Sequence, residues 1–207
     1  MRMVVMLDKK GLLVSIVLGV IILFFGSKEH LVLMLSFLGL SVLVTRYGEE
    51  EKKDMGIYEY ERSWENVLSN GIVPAIFVLL TPFFGILPFI TSVAAITSDK
   101  FASELGVLEK KKPIYLLTFK EVRPGTSGAV SSLGTVMSLG GSAAISTVAV
   151  LLFGLSPEKA LFVAAGGFIG CFVDTLAGIP EEHKIGNKFT SNMLGSIAGG
   201  VAGIFIS

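Results

Sequence analysis

With 52 % hydrophobic and only 16 % charged residues over 207 positions, and a mean hydropathy of +0.74, the chain is too poor in charge for a water-soluble domain. Its 17 Lys and Arg cancel its 17 Asp and Glu, so no global charge draws it to nucleic acid. The lone Cys171 excludes an intramolecular disulfide and argues against cysteine-ligated zinc. His30 and His183 fall in loops on opposite sides, so a metal would need oxygen ligands, a set that suits Mg²⁺.

Seven apolar stretches, at 11–26, 31–45, 66–81, 84–106, 127–154, 157–177 and 189–206, predict an all-α, polytopic helical membrane protein with about seven transmembrane helices. Lys9 and Lys10 precede the first stretch as in a secretory signal. No small-residue cleavage site follows it, so it is expected to be a retained span within one integral membrane domain of residues 1–207. The loops then alternate sides. Fourteen basic residues, among them Arg2, Lys9, Lys10, Arg46, Arg62 and Lys184, fall on the side of the N-terminus, against Lys28 and Lys159 on the other. The positive-inside rule places the first side, and the N-terminus, in the cytoplasm of a cell-membrane protein.

Residues 46–65 carry charges of mixed sign and predict a solvated helical loop. The run from Val67 to Leu105 is too long for one span, and Thr81-Pro82-Phe83-Phe84-Gly85 divides it into a hairpin. Its second limb ends in Ser98-Asp99-Lys100-Phe101-Ala102-Ser103-Glu104. A carboxylate at the end of a span is a functional candidate. Asp99 and Ser103 share a helix face, whereas Glu104 stands roughly 140° away. Asp99 is therefore the metal candidate and Glu104 the partner of a basic group.

The loop 107–126 holds Lys110, Lys111, Lys112, Lys120 and Arg123, and alternation over 114–120 predicts a short extended segment. Arg123-Pro124-Gly125-Thr126-Ser127-Gly128 then leads into the fifth stretch, with Ser131 just inside it. Small residues at a helix N-terminus expose N–H groups to an anion, and Arg123 adds a guanidinium fork for phosphate. A turn with an N-cap accounts for the same pattern without a ligand. In the sixth stretch Asp174 has no basic residue within four positions, so it needs a partner from another span or a metal. Asn70 and Asn192 are polar candidates on the same side, or helix-packing amides. Gly166 and Gly170, and Gly195, Gly199 and Gly203, recur at intervals of four, which fits close helix packing or a homo-oligomer.

In order and spacing, RSWENVLSNG at 62–71, SDKFASELG at 98–106, the lysine-rich loop, RPGTSGAVSSLGT at 123–135, GGFIGCFVDTLAG at 166–178 and TSNMLGS at 190–196 resemble one integral membrane family. It includes plant phytyl-phosphate kinase and the animal transmembrane protein nineteen, and the likeness covers about residues 60–207. Residues 1–60 then contribute N-terminal spans and a loop, and 61–207 the family-like core. Asp99, Ala102, Ser103, Glu104, Gly106, Pro124, Gly125, Thr126, Gly128, Ser131 and Asp174 match the family form. Lys100, Ser127 and Ala129 depart from its threonine, asparagine and glycine.

The resemblance implies phosphorylation of an isoprenoid monophosphate (phytyl, geranylgeranyl or a similar polyprenyl phosphate) to the diphosphate, with CTP as donor. Such an acceptor is already an anionic nucleophile, so positioning and charge neutralisation suffice. Asp99, Glu104, Arg123 and Asp174 are the expected catalytic residues, with Mg²⁺ on Asp99 and Asp174. Asn70, Ser103, the loop lysines, the 125–128 segment, Ser131 and Asn192 are expected to bind substrate at the cytoplasmic boundary. A nucleotidyltransferase moving CMP onto a phospholipid would use the same groups. A transporter would place its polar residues nearer the midplane.

Overall fold

A segment in hydrocarbon must satisfy its backbone internally, and a helix does so turn by turn. In the computed structural model, which describes residues 7–58 and 63–206, the apolar stretches accordingly form helices. They are α1 (Lys9–Phe25), α2 (Lys28–Arg46), α4 (Trp64–Leu79), α6 (Leu87–Gly106), α7 (Ser132–Phe153), α8 (Pro157–Ala177) and α9 (Lys188–Ile204), with the short α3 (Glu49–Asp54) and α5 (Thr81–Phe84) between them. Arg2 and Arg62 lie outside the described residues. By length and composition α2, α7 and the run Pro157–Glu182 can cross a membrane, and α4 is a shorter apolar helix. The molecule is an all-α, polytopic membrane protein.

The bundle is built around α6, whose residues from Leu87 to Ser98 are all buried. Its interior hydroxyls are satisfied: Thr91 donates to the Leu87 carbonyl at 2.7 Å, Thr97 to Val93 at 2.8 Å, and Ser98 across to Ser138 of α7 at 2.8 Å. The outer surface is apolar instead, with Phe24, Leu151, Leu161 and Phe205 exposed, as a lipid-facing surface requires.

Glycines set the approach of α8 and α9 to α6. A Cβ at Gly199 would stand 2.6 Å from the Ala95 Cβ and 2.9 Å from the Thr91 carbonyl, and one at Gly170 would stand 2.7 Å from the Gly195 carbonyl. The four-residue glycine spacing thus serves helix packing within the chain. The hairpin forms as expected: Pro82 lies in α5, and Gly85, at φ +70°, ends it.

Two segments differ from expectation. The fifth span begins at Ser132, not 127, because Gly125 and Gly128 take positive φ values (+84° and +77°) that no helix continues through. The intervening Ala129–Val130 is a strand (β3) that pairs antiparallel with Ile114–Tyr115 (β1), whose other edge carries Lys120–Glu121 (β2). The 46–65 stretch is not simply solvated. Lys52 of α3 is 1 % exposed and donates to the carbonyls of Val44 and Thr45 at 2.9 and 3.1 Å and to Glu104 Oε2 at 2.9 Å. It clamps the loop onto the bundle.

Candidate functional site

The C-termini of α6 and α8 and the N-termini of α4, α7 and α9 meet at one end of the bundle. Ser131, the N-cap of α7, donates its hydroxyl to the Gly106 carbonyl at the end of α6 (3.1 Å). Asn187 caps α9 through a capping box with Thr190, which fixes Lys188 in the first turn. From there the Lys188 ammonium lies 2.8 Å from Asp174 Oδ1 and 3.6 Å from Asp99 Oδ1. A cation at a helix N-terminus opposes the helix dipole, and the two carboxylates offset that cost. Asp174, expected to lack a local partner, thus finds one fourteen residues along the chain. Lys188 is one of the fourteen basic residues that the sequence places on the side of the N-terminus. Its place at the start of the next span, on the same side as Asp174, was the available signal.

The far oxygen of Asp174 is also held. In the amide orientation that satisfies both of its polar atoms, Asn192 donates to Asp174 Oδ2 (3.1 Å) and the Lys188 carbonyl (3.2 Å), and accepts from Asn70 Nδ2 (3.2 Å) and Ser69 Oγ (3.3 Å). Asn70 donates further to the Asn66 carbonyl at 2.8 Å. Asn70, Asn192, Asp174, Lys188 and Asp99 therefore form one connected polar chain across α4, α9, α8 and α6.

Beside this chain opens a cavity of about 520 Å³, lined by Asp99, Ser103, the 124–131 segment, Ser138, Phe168, Phe172, Asp174 and Lys188. Its wall carries hydroxyls from the loop (Thr126, Ser127, Ser131) and from α7 (Thr135, Ser138), and apolar side chains from α8 (Phe168, Phe172). Two carboxylates and an ammonium at its floor, with hydroxyls around them, can bind a cation, or a phosphorylated group that brings a cation with it.

Other expected residues stand elsewhere. Glu104 does not line the cavity. It accepts from Lys52, from Thr45 at 2.9 Å and from Lys100, so it orients basic groups, as its angular offset from Asp99 suggested. Lys110, Lys111, Lys112 and Lys120 are exposed and outside the cavity lining, because β1 and β2 hold their loop on the outer side. Arg123 is exposed at the rim, with its carbonyl accepting from the Thr126 hydroxyl at 2.8 Å.

The loop donors expected to face an anion carry carboxylates of this chain. Ser127 donates its N–H to Glu182 (3.0 Å) and its hydroxyl to Glu181 (2.7 Å). At the start of α7, Leu133 N–H and the Ser132 hydroxyl donate to Glu109 at 2.9 and 3.0 Å, which holds the Glu109 carboxyl below its ordinary pKa. Gly128 packs on the segment 179–183: a Cβ there would stand 2.6 Å from Ile179 Cγ1. The three glutamates were missed because only the tertiary fold brings them to these donors.

Comparison with known proteins agrees with a membrane protein of this kind. The chain is 40 % identical over 204 residues to an uncharacterised membrane protein of Methanocaldococcus jannaschii, covering 97 % of this chain and 85 % of that one. It is 28 % identical to Protein PGR of Arabidopsis thaliana over 188 residues, 74 % of this chain and 64 % of the relative. To the chloroplastic Protein VTE6 of the same plant it is 30 % identical over 106 residues, 51 % of this chain and 32 % of the relative. No solved structure matches it. The model of the integral membrane protein family DUF92 matches residues 2–202, and the chain belongs to that family.

Proposed function

We propose that the protein is a membrane kinase that transfers the terminal phosphoryl group of a nucleoside triphosphate, CTP by resemblance, to an isoprenoid monophosphate. The observation that carries this reading is the Asp99–Lys188–Asp174 cluster in the floor of a cavity lined by hydroxyls of the loop and α7 and by Phe168 and Phe172 of α8. An oxygen of the lipid phosphate attacks the γ-phosphorus, the bond from that phosphorus to the β-bridging oxygen breaks, and the lipid diphosphate and nucleoside diphosphate leave. Lys188 neutralises phosphate oxygens as they approach, and Arg123 at the rim grips the polyphosphate.

Asp99 and Asp174 are the residues that would hold Mg²⁺, a hard cation usually bound by one or two carboxylates together with substrate phosphates. Both reach the same Lys188 ammonium, so a cation already bridges them. Mg²⁺ would there supply charge neutralisation on the transferring phosphoryl group. Asn192 and Asn70 hold Asp174 in position. The excess of basic residues on the side of the cluster supports a cytoplasmic site, where nucleotide is available.

The test is to incubate purified protein with labelled CTP, ATP or GTP and a panel of isoprenyl monophosphates. Isoprenyl diphosphate with nucleoside diphosphate is expected. Pyrophosphate release with a CMP-lipid product would make the protein a nucleotidyltransferase, and substrate uptake into liposomes without turnover would make it a transporter.

A further inference from the structure

We infer that the isoprenoid chain enters through the seam between α7 and α8, with Phe168 and Phe172 as its wall, while the phosphate head rests at Lys188. This placement rests on the lipid-phosphate reading above. Two cavities among the described residues can be compared. The larger, about 520 Å³, contains Lys188 at one side and residues of both α7 and α8 at the other. The smaller, about 100 Å³, lies among α1, α2 and α4, and its polar lining is Ser15, Ser41, Asn66 and Asn70. Binding sites for small organic ligands run from roughly 300 to 1,000 Å³. The first cavity falls within that range and the second below it.

Charge distinguishes the two as well. The larger cavity is lined by all three charged groups of the cluster, Asp99, Asp174 and Lys188, of which the Lys188 ammonium is the group that can pair with an anionic head, whereas among the described residues the smaller cavity is lined by no charge. The tail then needs an apolar path from Lys188 to the bilayer. On α8, Phe168, Phe172 and Thr175 follow one helix face at steps of four and three, opposite Thr135 and Ser138 of α7. Thr135 and Phe172 line the cavity and are exposed, and Val136 and Leu139 beside Thr135 are exposed outside its lining. The cavity therefore reaches the apolar exterior at this seam. A lipid can slide in sideways without its chain crossing the polar loop, while nucleotide approaches from the loop side.

The experiment uses the full chain in detergent and a farnesyl monophosphate with a photoreactive diazirine at the distal end of its chain. Adducts that unlabelled geranylgeranyl monophosphate competes away are expected within residues 135–142 and 165–175. Thr135→Trp, which fills the mouth at an exposed position, should reduce this labelling roughly tenfold, the scale on which hydrophobic pockets discriminate small volume changes. Leu151→Trp, at an exposed position near the other end of α7, should leave it unchanged, and both variants should melt as the parent does. If Thr135→Trp melts early, Phe172→Ala replaces it, with a shift of preference toward longer or bulkier chains expected. Competed adducts outside the seam, or none within it, overturn the placement. If phosphoryl transfer persists in that case the kinase stands, and if transfer is absent as well both fall.

Discussion

Lys188 stands between two carboxylates, of which Asp174 is 3 % exposed, at the position proposed above for Mg²⁺. Lys188→Met leaves two negative groups facing each other, so the variant should melt below the parent. Added Mg²⁺ should raise its melting temperature more than that of the parent, because no ammonium then competes with the ion for the two carboxylates. An equal response in the two proteins would remove the metal from Asp99 and Asp174. Asp174→Asn keeps the shape but loses the charge-assisted bond to Lys188. It should cost about 1–3 kcal/mol of stability and abolish phosphoryl transfer. The loop calls for a different probe. Gly128→Val would collide with Ile179 at a positive φ, so its stability and activity should fall together and report nothing about an anion. Glu182→Gln weakens the hold on the Ser127 N–H, and an incoming phosphate competes with that hold. The nucleotide KM should therefore fall in Glu182→Gln and rise in Arg123→Lys, which loses the planar fork. An unchanged KM in both variants would leave the loop as a turn only.

At the scale of elements, the stacking of α9 on α6 and α8 is limited by backbone contact rather than by side-chain volume. Gly199→Ala should lower stability by about 1–3 kcal/mol, since the facing Thr91 carbonyl is backbone and gives little. Gly140→Ala in α7, where an added Cβ meets nothing within 4 Å, should be neutral or stabilising. Thermal melting of the two variants in detergent separates close packing from a general aversion to replacing glycine. The start of α7 carries a pH signature. The Glu109 carboxyl has a lowered pKa in the folded protein because it accepts from Leu133 N–H and the Ser132 hydroxyl. Its contribution is therefore present above the unfolded value, about 4.3, and is lost as pH falls through the folded value. Glu109→Gln should melt below the parent at pH 7, and the gap should close as pH drops below about 4. A gap that does not change with pH would mean that Glu109 acts by packing alone.

For the whole molecule, the bundle end that gathers Asp99, Asp174 and Lys188 is also the end bearing the basic loops. Cysteine placed at position 28 should react with an impermeant reagent from outside intact cells, and cysteine at 120 should be protected, with the buried Cys171 silent. The reverse pattern would put the cluster on the side without nucleotide and end the kinase reading. Span positions were legible because a hydrophobic run and its flanking charges are local properties. The predicted 157–177 coincides with α8, and 84–106 ends with α6. The fifth span was predicted five residues early because its apolar count ran through Ser127–Val130, whose backbone belongs to a turn and a strand.

By itself the sequence determined an all-α membrane bundle, the hairpin at Pro82–Gly85, the glycine-mediated helix contacts, and the clustering of Asp99, Asp174, Asn70 and Asn192 toward one side. Hydropathy, small-residue spacing and loop charge act over a few turns and need no partner to be read. Only the tertiary structure decided which charges meet. It gave Asp174 and Asp99 the same lysine, took Glu104 away to Lys52 and Lys100, left the loop lysines outside the cavity, and set Glu109, Glu181 and Glu182 on the loop and α7 donors. Pairing at 2.8 Å depends on the relative rotation and depth of whole helices. In this bundle contacts between glycine-lined backbones fix those quantities, and no local pattern encodes them.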